Sequence, residues 1–217
     1  MAKKQFAVIG LGRFGVSVAR KLLEARHDVL GIDICDEKVE DVEHYFTHAA
    51  VADATEEKAL TALGVRNFEC VIVAIGNDIQ SSILTTMLLK NLGVQKIIAK
   101  AVSKRHGQVL EKIGVDWVIY PEKDMGERVA KQLLSPNVLN YIELSKEHNI
   151  EEIKLPVKMV GKSLRELNLR AKYNINVIAL VRDGDVIVSL SPEHALQQDD
   201  FLIVIGNRKD LVKFSDL

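Results

Sequence analysis

The chain has 217 residues, 47% hydrophobic and 27% charged, with a formal net charge of −1. At about 150 residues per domain this means one or two globular domains, and the near-neutral balance excludes a general nucleic-acid grip, which shows as a clustered basic excess. No run approaches the roughly 20 apolar residues that span a bilayer, and Met-Ala-Lys-Lys leads straight into a strand, so neither a membrane span nor a signal peptide is expected.

Gln5 to Ile9 is a short apolar run ending at Gly10, as a buried parallel strand does. Phe14, Val18, Leu22 and Leu23 then recur at helical spacing. A second strand, Val29 to Ile32, ends at Asp33. Helical spacing returns over Glu37 to Tyr45, and Thr47 to Ala52 is a weak third strand. Thr55 reads as a helix N-cap with Gly64 as the stop. Cys70 to Ile75 is the strongest strand, followed by Gly76-Asn77-Asp78 and a helix over Ile79 to Asn91. Lys96 to Lys100, Lys104 to Ile113 and Val115 to Tyr120 complete the series as strand, helix, strand. This alternation predicts a doubly wound parallel α/β sheet of Rossmann type in the order 3-2-1-4-5-6.

After Pro121 the pattern changes. Glu122 to Leu134 reads as a helix, Ser135-Pro136-Asn137 breaks it, and Asn137 to Glu147 reads as a second helix. The apolar residues of this pair either pack on their own sheet or form a subunit interface. From Glu152 the spacing is that of a small α+β unit. Glu152 to Leu155 is a strand, and Ser163 to Asn168 is a short helix with a capping box. Ile175 to Arg182 and Val186 to Ser189 flank the hairpin signal Asp183-Gly184. A strand over Phe201 to Ile205 and a helix over Lys209 to Phe214 follow. The domain boundary is placed near Asn149.

Gly-Leu-Gly-Arg-Phe-Gly at Gly10 to Gly15 sits between a strand and a helix, where such a loop holds a phosphate. Gly10 permits the turn, Gly12 lets backbone approach the anion, and Gly15 allows helix and strand to pack. Asp33 stands where an acid meets ribose hydroxyls, and no arginine follows it to accept a 2′-phosphate. Arg13 either pairs with phosphate oxygens or points to water. Asp53 and Thr55 border the adenine, or Thr55 only caps its helix. Lys100 lies at the carboxyl edge as a phosphate counter-charge. Glu122 beside it requires a bridging divalent cation, or else simply opens the next helix. Cys35 and Cys70 read as reduced thiols in a cytoplasmic protein. The six histidines read as surface or loop residues. No serine-hydrolase elbow, P-loop, zincin motif or paired cysteine motif occurs, which argues against an enzyme.

G-L-G-R-F-G, the Asp33 strand end, N-F-E-C-V-I-V-A-I-G, V-L-E-K-I-G-V-D, Y-P-E-K-D-M-G, N-V-L-N-Y-I-E-L and L-R-A-K-Y-N-I-N together resemble the Ktr regulatory proteins (KtrA/KtrC type). These are RCK-type, TrkA-like subunits of bacterial potassium uptake systems. The likeness covers essentially the whole chain; Val16 departs from it, standing where the family usually shows another glycine.

The resemblance implies an RCK N-domain over 1–120, a helical crossover and dimerisation segment over 121–148, and an RCK C-terminal ligand-binding subdomain over 149–217. It implies dimers assembled into an octameric ring beneath a membrane-embedded potassium-translocating partner, on the inner face of the cell membrane. ATP and ADP would compete for the N-domain and favour different ring shapes. The expected nucleotide-contacting set is Gly10, Gly12, Arg13, Phe14, Gly15, Asp33, Asp53, Ala54, Thr55, Ile75, Gly76, Lys100 and Glu122. Arg13 would reach the terminal phosphate, and Glu122 would hold a divalent cation, Mg or Ca. A cyclic di-AMP site is implied at Leu164, Leu167, Arg170, Ala171, Asn174, Ile175 and Pro192, although Leu167 and Ile175 also read as plain core. The competing readings are an NAD(H)-dependent redox sensor and a small NAD(H)-dependent oxidoreductase.

Overall fold

The computed structural model describes residues 3–134 and 137–217. It divides into two compact units, Met1–Met125 and Gly126–Leu217.

The first unit carries a parallel sheet of six strands: β1 (Gln5–Ile9), β2 (Asp28–Asp33), β3 (His48–Val51), β4 (Cys70–Val73), β5 (Ile97–Lys100) and β6 (Trp117–Ile119). Its order is β3-β2-β1-β4-β5-β6, as the alternating pattern predicts. The helices between strands are α1 (Arg13–Glu24), α2 (Asp36–Glu40), α3 (Glu57–Ala62), α4 (Ile79–Asn91) and α5 (Lys104–Ile113). Side chains alternate across the sheet because successive Cβ atoms point to opposite faces. Ala7, Ile9, Leu30, Ile32, Val71 and Val73 enter one core with Leu60 of α3, Leu89 of α4 and Leu110 of α5. Val8, Val29, Cys70 and Ile72 enter a second core with Ala19 of α1 and Val39 of α2. A sheet buried on both faces needs apolar residues at every strand position, which is why β1 and β4 read as unbroken hydrophobic runs.

α6 (Pro121–Leu134) follows β6 directly, and the division between the units falls within it. The expected break at Ser135-Pro136 lies outside the described residues. The second unit holds an antiparallel sheet in the order β10-β9-β11-β8-β7. Its strands are β7 (Val138–Glu143), β8 (His148–Lys154), β9 (Ile175–Arg182), β10 (Asp185–Ile187) and β11 (Phe201–Asn207). α7 (Leu164–Leu167), α8 (Leu169–Tyr173) and α9 (Arg208–Ser215) accompany it, and Ile153, Leu180, Leu202, Val204, Leu211 and Phe214 form its core. Asp183 and Gly184 both take positive φ, 52° and 86°, in the tight β9–β10 turn that an Asp-Gly pair favours.

Three expectations fail here. Asn137 to Glu147 is not a helix: Val138–Glu143 pairs antiparallel with β8. The register shifts between Val138 and Asn140, so Val138 and Tyr141 both meet the core at a spacing that mimics a helical face. Thr55 is not the cap of α3; Glu56 holds that position, and the Thr55 hydroxyl donates to Asp53 Oδ1 at 2.7 Å. Of the histidines, His106 is buried in α5, its Nδ1 accepting the Val102 N–H at 3.4 Å.

Candidate nucleotide site at the carboxyl edge of the parallel sheet

In the first unit the strand order reverses between β1 and β4, and a ligand crevice forms outside such a switch point. The loop after β1 and the backbone after β4 touch there. Gly10 has φ +98°, and a Cβ on it would stand 2.9 Å from the Ala74 carbonyl carbon. A Cβ on Gly15 would overlap the Gly10 carbonyl oxygen, so α1 starts hard against the turn. Gly12, the N-cap of α1, has open space where its Cβ would be. No side chain caps α1, and no acidic residue lies in its first turn. Its leading N–H groups are left without a side-chain cap at the positive end of the helix dipole, which suits an anion.

Asp33, 6% exposed, braces this loop. Its Oδ2 accepts the Leu11 N–H at 2.7 Å and its Oδ1 the Cys35 N–H at 3.0 Å, with the Lys38 ammonium at 3.5 Å. The bond to Leu11 is a role that strand-end position alone does not reveal. Lys38 lies in the last turn of α2.

On the far side, Lys100 ends β5 beside Gly76 and the Phe14 ring. Its ammonium is bonded to Glu122 Oε1 at 2.5 Å. That bond holds the Glu122 carboxyl below the ordinary carboxylate range, and the charge of Arg13 acts in the same direction. Phe14, Gly76, Lys100 and Glu122 therefore gather beside the glycine loop. Asp53 and Thr55 satisfy each other instead. Ala54 is packed in the core, with Ile75 half-buried against it, so Ala54 presents no side chain to a ligand.

Glu122 would hold the expected divalent cation only together with phosphate oxygens. Its carboxylate faces an ammonium, and among the described residues no group of three or more His, Cys, Asp and Glu side chains comes together.

The second unit has an open cavity of about 540 Å³ lined by Leu164, Arg165, Asn168, Val177, Ile178, Val188, Leu190 and Pro192. Leu164 and Pro192 belong to the set expected for cyclic di-AMP. Leu167 and Ile175 are core residues and do not line it, and Arg170, Ala171 and Asn174 also lie outside its wall. Asn174 donates to Asp210 Oδ2 at 3.1 Å. The exposure of Val188 and Ile178 beside the Asp-Gly hairpin marks the wall that sequence reasoning missed.

A doubly wound unit with an anion-ready glycine loop, joined to a small antiparallel unit, defines a ligand-binding class of two-part proteins. Residues 6–121 match the TrkA-N domain and residues 150–217 the TrkA-C domain. The chain is 50% identical over 213 residues to Ktr system potassium uptake protein A of Bacillus subtilis (strain 168), covering 98% of this chain and 96% of that protein. It is 48% identical over 212 residues to Ktr system potassium uptake protein C of the same organism, covering 98% and 96%. The fold matches the crystal structure of the GsuK RCK domain with a TM-score of 0.68 at 18% identity, over all of this chain and 48% of that one. The chain belongs to the TrkA-N/TrkA-C family and is homologous to the Ktr potassium uptake proteins.

Proposed function

We propose that this protein is the nucleotide-sensing regulatory subunit of a potassium uptake system, switched by ATP against ADP. The observation that carries the reading is the uncapped start of α1 with Arg13 on it and Lys100 across the crevice. These are positive groups for a phosphate chain, and Asp33 stands at the end of β2 for the ribose. The near identity in length to the two Ktr proteins supports carrying their potassium-uptake role to this chain. No helix among the described residues is long and apolar enough to cross a membrane, which supports a membrane-embedded partner supplying the ion path. The protein then works on the cytoplasmic face and does no covalent chemistry.

The division of labour is a nucleotide-binding part over 1–120, a dimerisation segment over 121–148 and a second ligand-binding part over 149–217. Leu133 and Leu134 are 77% and 83% exposed, and Leu139 and Ile142 are exposed on β7, as a face that buries in a dimer requires. Such dimers assemble into an octameric ring. The open cavity of the second unit, with Arg165 and Pro192 on its wall, suits a nucleotide such as cyclic di-AMP held between two copies.

A ligand moves such a ring only through its unequal affinity for two shapes, typically about 1–3 kcal/mol. ATP carries the phosphate that reaches Arg13, and ADP stops short of it. Titration of Arg13→Ala should bring ATP affinity down to that of ADP; an unchanged ATP preference removes Arg13 from the mechanism. NAD(H) is the second reading, favoured by the acid at Asp33 behind a dinucleotide-type glycine loop.

A further inference from the structure

β8 turns Asn149, Glu151 and Ile153 toward the covered face of the second sheet, where apolar side chains are expected. Ile153 meets that expectation, in one core with Leu211 and Phe214 of α9. Asn149 and Glu151 do not, yet they are only 4% and 9% exposed. The Asn149 amide N–H donates to Glu151 Oε1 at 2.9 Å. A carboxylate only accepts, so this bond fixes the amide and leaves Oδ1 as the atom turned away. Among the described residues Asn149 Oδ1 is buried with no hydrogen-bond partner, and Glu151 forms no ion pair. A buried acceptor without a donor and a buried carboxylate without a counter-ion both lower stability. The pair is therefore set for a group that donates and carries positive charge.

Both side chains line a cavity of about 150 Å³ within the second unit, separate from the open one described above. That volume is several times the share of one liquid water, about 30 Å³. Arg128 and Arg208 line it as well. Arg128 is engaged, donating to Asn140 Oδ1 at 3.1 Å. Arg208 forms no ion pair among the described residues, which leaves its guanidinium for an anionic group. Leu134, Val138, Leu139 and Val212 supply apolar wall. A ligand matched to this lining has a cation at one end, an anion at the other and an apolar body. We propose that the second unit carries a further site, for an α-amino acid with an apolar side chain. Its ammonium sits on Glu151 and Asn149 Oδ1, and its carboxylate on Arg208. Leu134 and Leu139 are exposed and adjoin the face proposed above to bury in a dimer, so a second copy closes the site over its ligand. The site does not rest on the nucleotide reading of the first unit.

The test is calorimetry of the full chain with L-leucine, L-isoleucine, L-valine and L-methionine. At least one should bind, with one site per chain. The tightest binder is then compared with its deamino acid, which lacks the ammonium, and its amide, which lacks the carboxylate. Each should bind about tenfold more weakly or worse, the loss of one charge-assisted bond. Glu151→Gln preserves the shape of the floor and removes its charge, and should weaken the amino acid by the same factor. Replacing Asn149 and Glu151 together by leucine should abolish binding; should that variant fail to fold, Glu151→Gln and the two analogues carry the test. No binding of any of the four amino acids to the wild type overturns the proposal and leaves a cavity for water alone. Unchanged affinity in Glu151→Gln overturns it too. An amide that binds as tightly as the amino acid refutes the carboxylate contact, and makes the cavity a socket for a cationic side chain of a partner.

Discussion

Gly12 and Gly15 stand close together in one loop, yet their surroundings assign them different work, and alanine at each should separate it. At Gly15 a Cβ would overlap the Gly10 carbonyl oxygen and also crowd Ala74 Cβ at 3.2 Å. Both neighbours are rigid, so α1 must back away from β1 and β4. Overpacking of this kind costs about 1–3 kcal/mol, a fall of roughly 4–10 °C in the melting temperature of a unit this size. At Gly12 nothing lies within 4 Å of the added atom, and φ is −76°, which alanine tolerates. The cost there is that of a poorer N-cap, about 1 kcal/mol at most. Nucleotide affinity should nonetheless fall in both, in Gly15→Ala because the α1 amides move, and in Gly12→Ala because a methyl group fills the approach to them. Thermal unfolding and nucleotide titration on the same samples separate the effects. A Gly12→Ala protein that binds nucleotide like the wild type refutes close approach at that residue.

Three further outcomes follow from the same geometry. Asp33→Ala removes the acceptor of the buried Leu11 N–H and should destabilise the first unit by about 1–3 kcal/mol, with loss of nucleotide affinity; retention of both would reduce Asp33 to a strand-end residue. In the second unit, Arg182 donates twice to buried Asp200, at 2.8 and 2.7 Å, beside the Gln197 N–H at 2.7 Å. Burial alone would raise the Asp200 carboxyl, but these bonds outweigh it and hold it below the ordinary range. Arg182→Met should cost about 3 kcal/mol near neutral pH. In the wild type the stability contributed by the lowered Asp200 carboxyl is complete above the unfolded value of about pH 4 and is lost as pH falls through the lower folded one; denaturant melts of the wild type across that range check it. Burial likewise holds His106 below its ordinary value, so unfolding takes up a proton below about pH 6.5. Stability therefore declines as pH drops below that point, and His106→Gln should flatten that part of the curve in melts from pH 7 to 5.

The sheet of the first unit was legible because two-sided burial writes itself as apolar runs, each broken at the carboxyl edge by a non-apolar residue: Gly10, Asp33 and Gly76. The anion loop was legible for the same local reason. What escaped depended on partners distant in sequence. β7 read as a helix because a bulge sets Val138 and Tyr141 on one face, and only pairing with β8 decides between the two periods. Ala54 lay beside plausible ligand groups, but the turn after β3 packs its methyl into the core. Leu167 and Ile175 are apolar for packing rather than for a ligand, while Ile178 and Val188, which line the open cavity, carry no motif. The Lys100–Glu122 pair joins residues both visible in the sequence, yet that each is the other's counter-ion is a fact of three dimensions alone.

The central claim is that the carboxyl edge of the parallel sheet reads the phosphates of an adenine nucleotide. Competition calorimetry on the full chain with ATP, ADP and NADH tests it most directly. ATP and ADP should compete for one site in the first unit, ATP binding more tightly, with NADH weaker than both. A chain that binds NADH while ignoring ATP and ADP contradicts the account and makes the crevice a dinucleotide sensor.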